Sequence, residues 1–273
     1  MFKKQPSKIA FSRNDMVILV FIAVLSIAGL LSFYFLDQRI FSWLSFNPDF
    51  FNEGILLKGL ELLGKGWAVV WLLLFGALTT NKHRPVLITL VSLVILAPTL
   101  LPLKLLVHRL RPKTVIEMNL HAEGEHDPYR SDSFPSGDTA TVFAAATALA
   151  SFVRRPWILV FFIAGCGVGL LRITDMAHYL SDVCAGAAIG VLCGWLALKV
   201  EQKWLALELL PINLLRFVEI AAVIGIPVSM VLFVGHNNLH LFLITYVLPA
   251  VCVYVVSRLV RQLKKYARAK PEE

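Results

Sequence analysis

The feature that most constrains this chain is the length of its apolar runs. Met16–Leu36 holds no charged residue, and Phe217–Val234 is broken only by Glu219 near its start. Runs of about 18 or more apolar residues cross a bilayer as helices. The composition agrees: 58% of the 273 residues are hydrophobic and 16% charged, where a soluble domain carries about a quarter charged residues. The expected fold class is therefore all-α, a polytopic helical bundle embedded in a membrane.

The net charge of +8 matters less than its placement. Lys3, Lys4, Lys8 and Arg13 precede the first run. Lys82 and Arg84 fall in one short connector, Arg154 and Arg155 in another, and Arg258, Arg261, Lys264 and Lys265 in the C-terminal tail. Lysine and arginine mark cytoplasmic loops, so the basic residues follow topology and nucleic acid is not an expected partner. The apolar part of the N-terminal region is too long for a signal-peptide h-region and is expected to be retained as a span. The four cysteines lie inside apolar stretches, with no zinc or disulfide spacing.

Read in order, 1–14 is a basic cytoplasmic arm, 15–200 a six-span core, 201–256 a connector with two further spans, and 257–273 a cytoplasmic basic tail. The spans are expected near 15–36, 67–80, 86–107, 138–153, 157–171, 183–200, 217–234 and 241–256. Between the first two, Ile55–Leu63 has the pattern of an amphipathic interfacial helix. Alternate counting from a cytoplasmic N-terminus puts every strongly basic turn inside.

The same count puts three polar islands outside. Lys104 and Arg111 lie seven residues apart, which on one helix places both cations on one face, and Pro112 would end that helix. Pro135-Ser136-Gly137-Asp138 feeds a helix N-terminus, where backbone N–H groups favour an anion and Gly137 permits close approach. Arg172 can clamp a phosphate, and His178 and Asp182 form an i, i+4 pair. A carboxylate on one ring nitrogen would fix the tautomer and leave the other free as a nucleophile. Each island alone also has a structural explanation. Cations snorkel at span ends, Asp138 suits an N-cap, and His178–Asp182 can be a plain interfacial ion pair.

Together the islands resemble the signature of the type 2 phosphatidic acid phosphatase superfamily: K-x6-R-P, then P-S-G-H, then S-R-x5-H-x3-D. The resemblance implies a six-helix phosphatase core in which His178 attacks phosphorus and becomes a phosphohistidine, with Asp182 supporting it. Lys104, Arg111 and Arg172 would bind phosphate oxygens, assisted by Ser136 and the Gly137 backbone. It implies no metal and no cofactor. The 113–134 loop, with His121, Glu123, Glu125, His126, Asp127 and Asp132, matches no standard ligand set and is expected to cover the site.

Two positions depart from the signature. Leu171 stands where the serine precedes Arg172, and Asp138 stands for the histidine that helps protonate the leaving group. A carboxylate ordinarily titrates near about 3.9 and an imidazole near about 6.5, so Asp138 is a poor general acid at neutral pH. A substrate with a stable leaving group, a diphosphate lipid or a sugar 1-phosphate, would tolerate that loss. The expected function is an integral-membrane lipid phosphatase acting on an isoprenoid diphosphate, lipid A or a glycerophospholipid phosphate, at the periplasmic face of a bacterial inner membrane. A lipid phosphotransferase and a catalytically silent phospholipid-binding protein share the same residues.

Overall fold

The computed structural model describes residues 13–47, 55–66, 68–73, 84–120 and 132–204. The helices are α1 (Arg13–Phe35), α2 (Asp37–Phe46), α3 (Ile55–Leu62), α4 (Arg84–Val107), α5 (Pro112–Leu120), α6 (Gly137–Leu149), α7 (Arg155–Thr174) and α8 (Leu180–Trp204), with a further helical stretch at 68–73. Among the described residues the only β pairing is one antiparallel bridge, Leu110 with Asp132. The chain is an all-α membrane bundle. Four described helices, 14–35, 84–107, 155–174 and 180–201, are long and apolar enough to cross a bilayer. The expected seventh and eighth spans, residues 67 and 74–80 of the expected second span, residues 121–131 of the 113–134 loop, residues 1–12 and the basic C-terminal tail lie outside the described residues.

α6 is the axis of the bundle. It has 13 residues, about 20 Å at 1.5 Å each, which is short of a bilayer core of about 30 Å and shorter than the expected span 138–153. The reason is its place: Thr139, Ala140 and every residue from Val142 to Ala148 are buried, with α4, α7 and α8 packed around it. Lipid meets the outer helices instead. On α1, Met16, Val20, Val24, Ile27, Leu30 and Phe33 are all more than half exposed, a surface that suits hydrocarbon.

Small residues let α8 reach α6. Gly186, Gly190 and Gly194 recur at each turn and face the carbonyls of Ser136, Ala140 and Ala144, also four apart. A Cβ at 194 would lie 2.6 Å from the Ala144 oxygen, and one at 190 would overlap the Ala140 oxygen. This is the small-xxx-small contact by which membrane helices bring backbones together. Through Gly186 it also seats the turn carrying Ser136 directly on α8.

Charges collect at the two ends of the bundle. At one end Asp15 accepts hydrogen bonds from Trp195 Nε1 and Lys199 Nζ, both 2.7 Å, and Arg84 pairs with Glu201. At the other end lie Asp37, Arg109, Arg172, His178 and Asp182. Replacing Gly190 with Val should lower the thermal midpoint of detergent-solubilised protein, since overpacking a tight core costs about 1–3 kcal/mol. Ile163→Val on the lipid-facing side of α7 should leave it within about a degree or two.

Candidate active site

Three backbone hydrogen bonds draw the islands into one cluster. Ser133 N–H donates to Arg109 O (2.6 Å), Ser136 N–H to Asp182 O (3.0 Å) and Lys113 N–H to Met176 O (2.9 Å). Each bond joins a different pair of islands. Within the third, Arg172 O accepts from both Ala177 N–H and His178 N–H at 3.1 Å. That tight turn folds the end of α7 back, so His178 returns beside Arg172.

The His178 ring is 5% exposed. Its Nδ1 lies 2.6 Å from the Ser133 carbonyl oxygen, so Nδ1 carries the proton and donates it, leaving the Nε2 lone pair free. Burial, with the Arg111 and Lys104 cations adding to it, pushes the imidazole pKa down from 6.5 to about 3, although the Ser133 bond opposes the shift. The neutral form is the nucleophilic form. The nitrogen contact expected for Asp182 is thus made by a backbone carbonyl, and Asp182 Oδ2 stands 3.9 Å from Nδ1.

Asp182 instead holds the frame around the ring. Fully buried, it accepts from Tyr179 N–H at 2.8 Å, from the Ser133 hydroxyl through a short bond, and from Arg109 Nη1 at 2.8 Å. Arg109 Nη2 reaches a second buried carboxylate, Asp37 Oδ2, at 2.7 Å. Asp37 also accepts from the Ser181 hydroxyl at 2.5 Å and its N–H at 3.1 Å. The guanidinium lies over the Tyr179 ring, 3.8 Å from its centroid. Sequence reasoning missed Arg109 and Asp37. The available signal was the aspartate closing the first apolar run, since a carboxylate there needs a cationic partner.

The phosphate-binding candidates sit on different elements. Lys104 and Arg111 do not share a helix. α4 stops at Val107, His108 takes a positive φ of 43°, and Pro112 begins α5 rather than ending α4, a position that its fixed φ suits. The two cations still lie within electrostatic range of one another and of Asp138 and Asp182. Lys104 Nζ donates to Asp132 O at 3.2 Å. His108, two-thirds exposed, has Nδ1 3.6 Å from the Asp132 carboxylate, an ion pair if protonated. The buried Arg111 Nε has no hydrogen-bond partner among the described residues.

Asp138 is not the N-cap. Ser136 takes that position, its hydroxyl 3.0 Å from the Thr139 hydroxyl. Asp138 Oδ2 receives Lys65 Nζ at 2.9 Å and Arg172 Nη1 at 3.4 Å. Arg172 Nη2 is shared by Glu61, 2.8 Å away, and by Asp175. Three carboxylates therefore share this side chain. Beside the cluster, an apolar cavity of about 360 Å³ lies between α1 and α8, bounded at its polar end by Phe134 and Ser181. Among the described residues no group of three His, Cys, Asp or Glu side chains could hold a metal.

Fold and cluster define an all-α membrane protein whose helix ends gather cations around a neutral histidine. Residues 85–206, a little under half of the chain, match the family model of the PAP2 superfamily. Lipid A 1-phosphatase of Porphyromonas gingivalis is 43% identical over 82 residues, 28% of this chain. The match spans 18% of that protein's own length. Among solved structures, the crystal structure of Aquifex aeolicus LpxE aligns with a TM-score of 0.47 at 24% identity, covering 60% of this chain and 95% of that one.

Removing the cation between two buried carboxylates leaves both uncompensated, so Arg109→Met should destabilise the fold by about 3–5 kcal/mol, seen as a large fall in thermal midpoint. The His178 ring should remain neutral by ¹⁵N NMR down to about pH 4; titration near 6.5 would contradict the bonding described. Because the folded ring binds its proton more weakly than the unfolded one, stability is unaffected above about 6.5 and declines as pH falls toward 3.

Proposed function

We propose that this chain is a lipid phosphatase in which His178 Nε2 attacks phosphorus. The P–Nε2 bond forms as the P–O bond to the lipid breaks, and water then cleaves the phosphohistidine. The observation that carries the reading is the His178 tautomer: a buried neutral imidazole whose Nδ1–H is committed to the Ser133 carbonyl has one lone pair to offer. Lys104, Arg111 and Arg172 would take the non-bridging oxygens, and Ser136 with the Gly137 backbone would close the site at the start of α6. Such preorganised charge is the main source of catalysis in phosphoryl transfer. Asp182 positions His178 through Ser133 and the 178–182 turn.

The substrate we favour carries a stable leaving group, a sugar 1-phosphate of the lipid A type or an isoprenoid diphosphate. One observation supports this: the local match to a lipid A 1-phosphatase. The apolar cavity between α1 and α8 suits one hydrocarbon chain of such a lipid. The site would face the periplasm, since the basic turns and the site lie at opposite ends of the bundle.

Purified protein with lipid A, isoprenoid diphosphate or phosphatidic acid, in micelles with chelator, should release phosphate. His178→Ala should reduce release at least about a thousandfold. Turnover of phosphatidic acid alone would overturn the leaving-group argument. No release from any of the three by folded protein would overturn the hydrolase reading, and phosphate transfer to an added acceptor lipid would replace it.

A further inference from the structure

When the P–O bond breaks, the leaving oxygen gains negative charge and needs a cation or a proton. The Asp138 carboxylate supplies neither. It does hold something that supplies both: Lys65, whose Nζ lies 2.9 Å from Asp138 Oδ2. Lys65 follows α3 in a turn closed by Gly64 N–H to Glu61 O (2.9 Å) and Lys65 N–H to Leu62 O (3.0 Å). The turn rests on Asp138 itself, because a Cβ at position 64 would stand 2.7 Å from the Asp138 Cβ and 3.1 Å from Val168 Cγ1. Gly64 thus lets the segment approach closely enough for Lys65 to reach the cluster.

A partly exposed ion pair contributes little to stability, and the Lys65 side chain is 37% exposed. Its placement gives it another use. The carboxylate oxygen that holds it also receives Arg172, so the ammonium stands one carboxylate away from a phosphate-binding cation. Its other neighbour, Glu61, lies 4.0 Å away and also binds Arg172. Among the described residues of the cluster, the His178 Nδ1–H is committed to Ser133, Lys104 is assigned above to the non-bridging oxygens, and the arginines are permanently charged.

We propose that Lys65 is a catalytic residue that protonates the leaving-group oxygen, with Asp138 as the positioning residue that carries it there. The inference rests on the phosphatase reading above. In the first step the Nε2 lone pair forms the P–N bond, the P–O electrons pass to the leaving oxygen, and that oxygen takes a proton from Lys65 Nζ. In the second step the Lys65 amine accepts a proton from water as the water oxygen bonds to phosphorus. The P–N electrons return to Nε2, so the ammonium and the neutral imidazole are both restored.

The test compares wild type, Lys65→Met and Lys65→Arg on two lipids that differ in leaving group, an alkyl phosphate and an aryl phosphate of matched chain length. Thermal melts check folding. A proton donor matters more for a poorer leaving group, so Lys65→Met should lose about 100-fold or more in kcat on the alkyl phosphate and less than about tenfold on the aryl one. Lys65→Arg keeps the charge but cannot give up a proton at neutral pH, so it should show the same split, and it carries the test alone if the Met variant fails to fold. Equal losses on both lipids, or full activity in Lys65→Arg, would overturn the inference and leave the phosphatase reading standing. No turnover of either lipid, nor of lipid A or an isoprenoid diphosphate, by folded wild type would overturn both, whereas turnover of lipid A or the diphosphate with neither test lipid accepted would overturn the inference alone.

Discussion

The site depends on one guanidinium placed between two buried carboxylates. Asp37 opens α2 just past the first span, Asp182 lies in the first turn of the last described helix, and Arg109 bonds to both. A buried charge without a partner is prohibitively unfavourable, so the helix ends pack only with these three side chains together. Each carboxylate then organises its surroundings. Asp37 takes the N–H and hydroxyl of Ser181. Asp182 takes the Tyr179 N–H and the Ser133 hydroxyl, and the Ser133 carbonyl takes the His178 proton. A run of contacts thus leads from the helix after the first span to the His178 imidazole, which Asp182 reaches at one remove.

Packing and chemistry meet at the start of α6. The glycines of α8 bring that helix onto the carbonyls of Ser136, Ala140 and Ala144, and the first of these belongs to the turn expected to cradle phosphate. α6 is short and sheathed by its neighbours. Its N-terminal N–H groups therefore end at the cation cluster rather than in lipid, where unsatisfied backbone groups are costly.

Much of this was legible in the sequence, because polar residues stand out against apolar runs. The bundle, the islands and their common end all follow from that contrast. What was hidden shares one cause, that a charge among other charges carries no signal. Arg109 lies beside His108 and Arg111, and Lys65 is one of several charges between the first two spans; only long-range contacts to Asp182 and Asp138 distinguish them. A shared face for Lys104 and Arg111 requires an unbroken helix, whereas α4 ends at Val107 and a turn separates the two cations. The Asp182–His178 spacing indicated a direct contact, but the Ser133 carbonyl competes for the same nitrogen and lies closer. The shortness of α6 was not visible, because a buried alanine-rich helix and a lipid-facing one share the same hydropathy.

The most direct test of His178 as nucleophile is to trap the intermediate. Protein mixed with ³²P-labelled lipid phosphate and quenched within milliseconds should carry label on His178, as a base-stable, acid-labile phosphoramidate that disappears in His178→Ala. Label on a carboxylate, or steady turnover by wild type with His178 never labelled, would contradict a mechanism built on the free Nε2 lone pair.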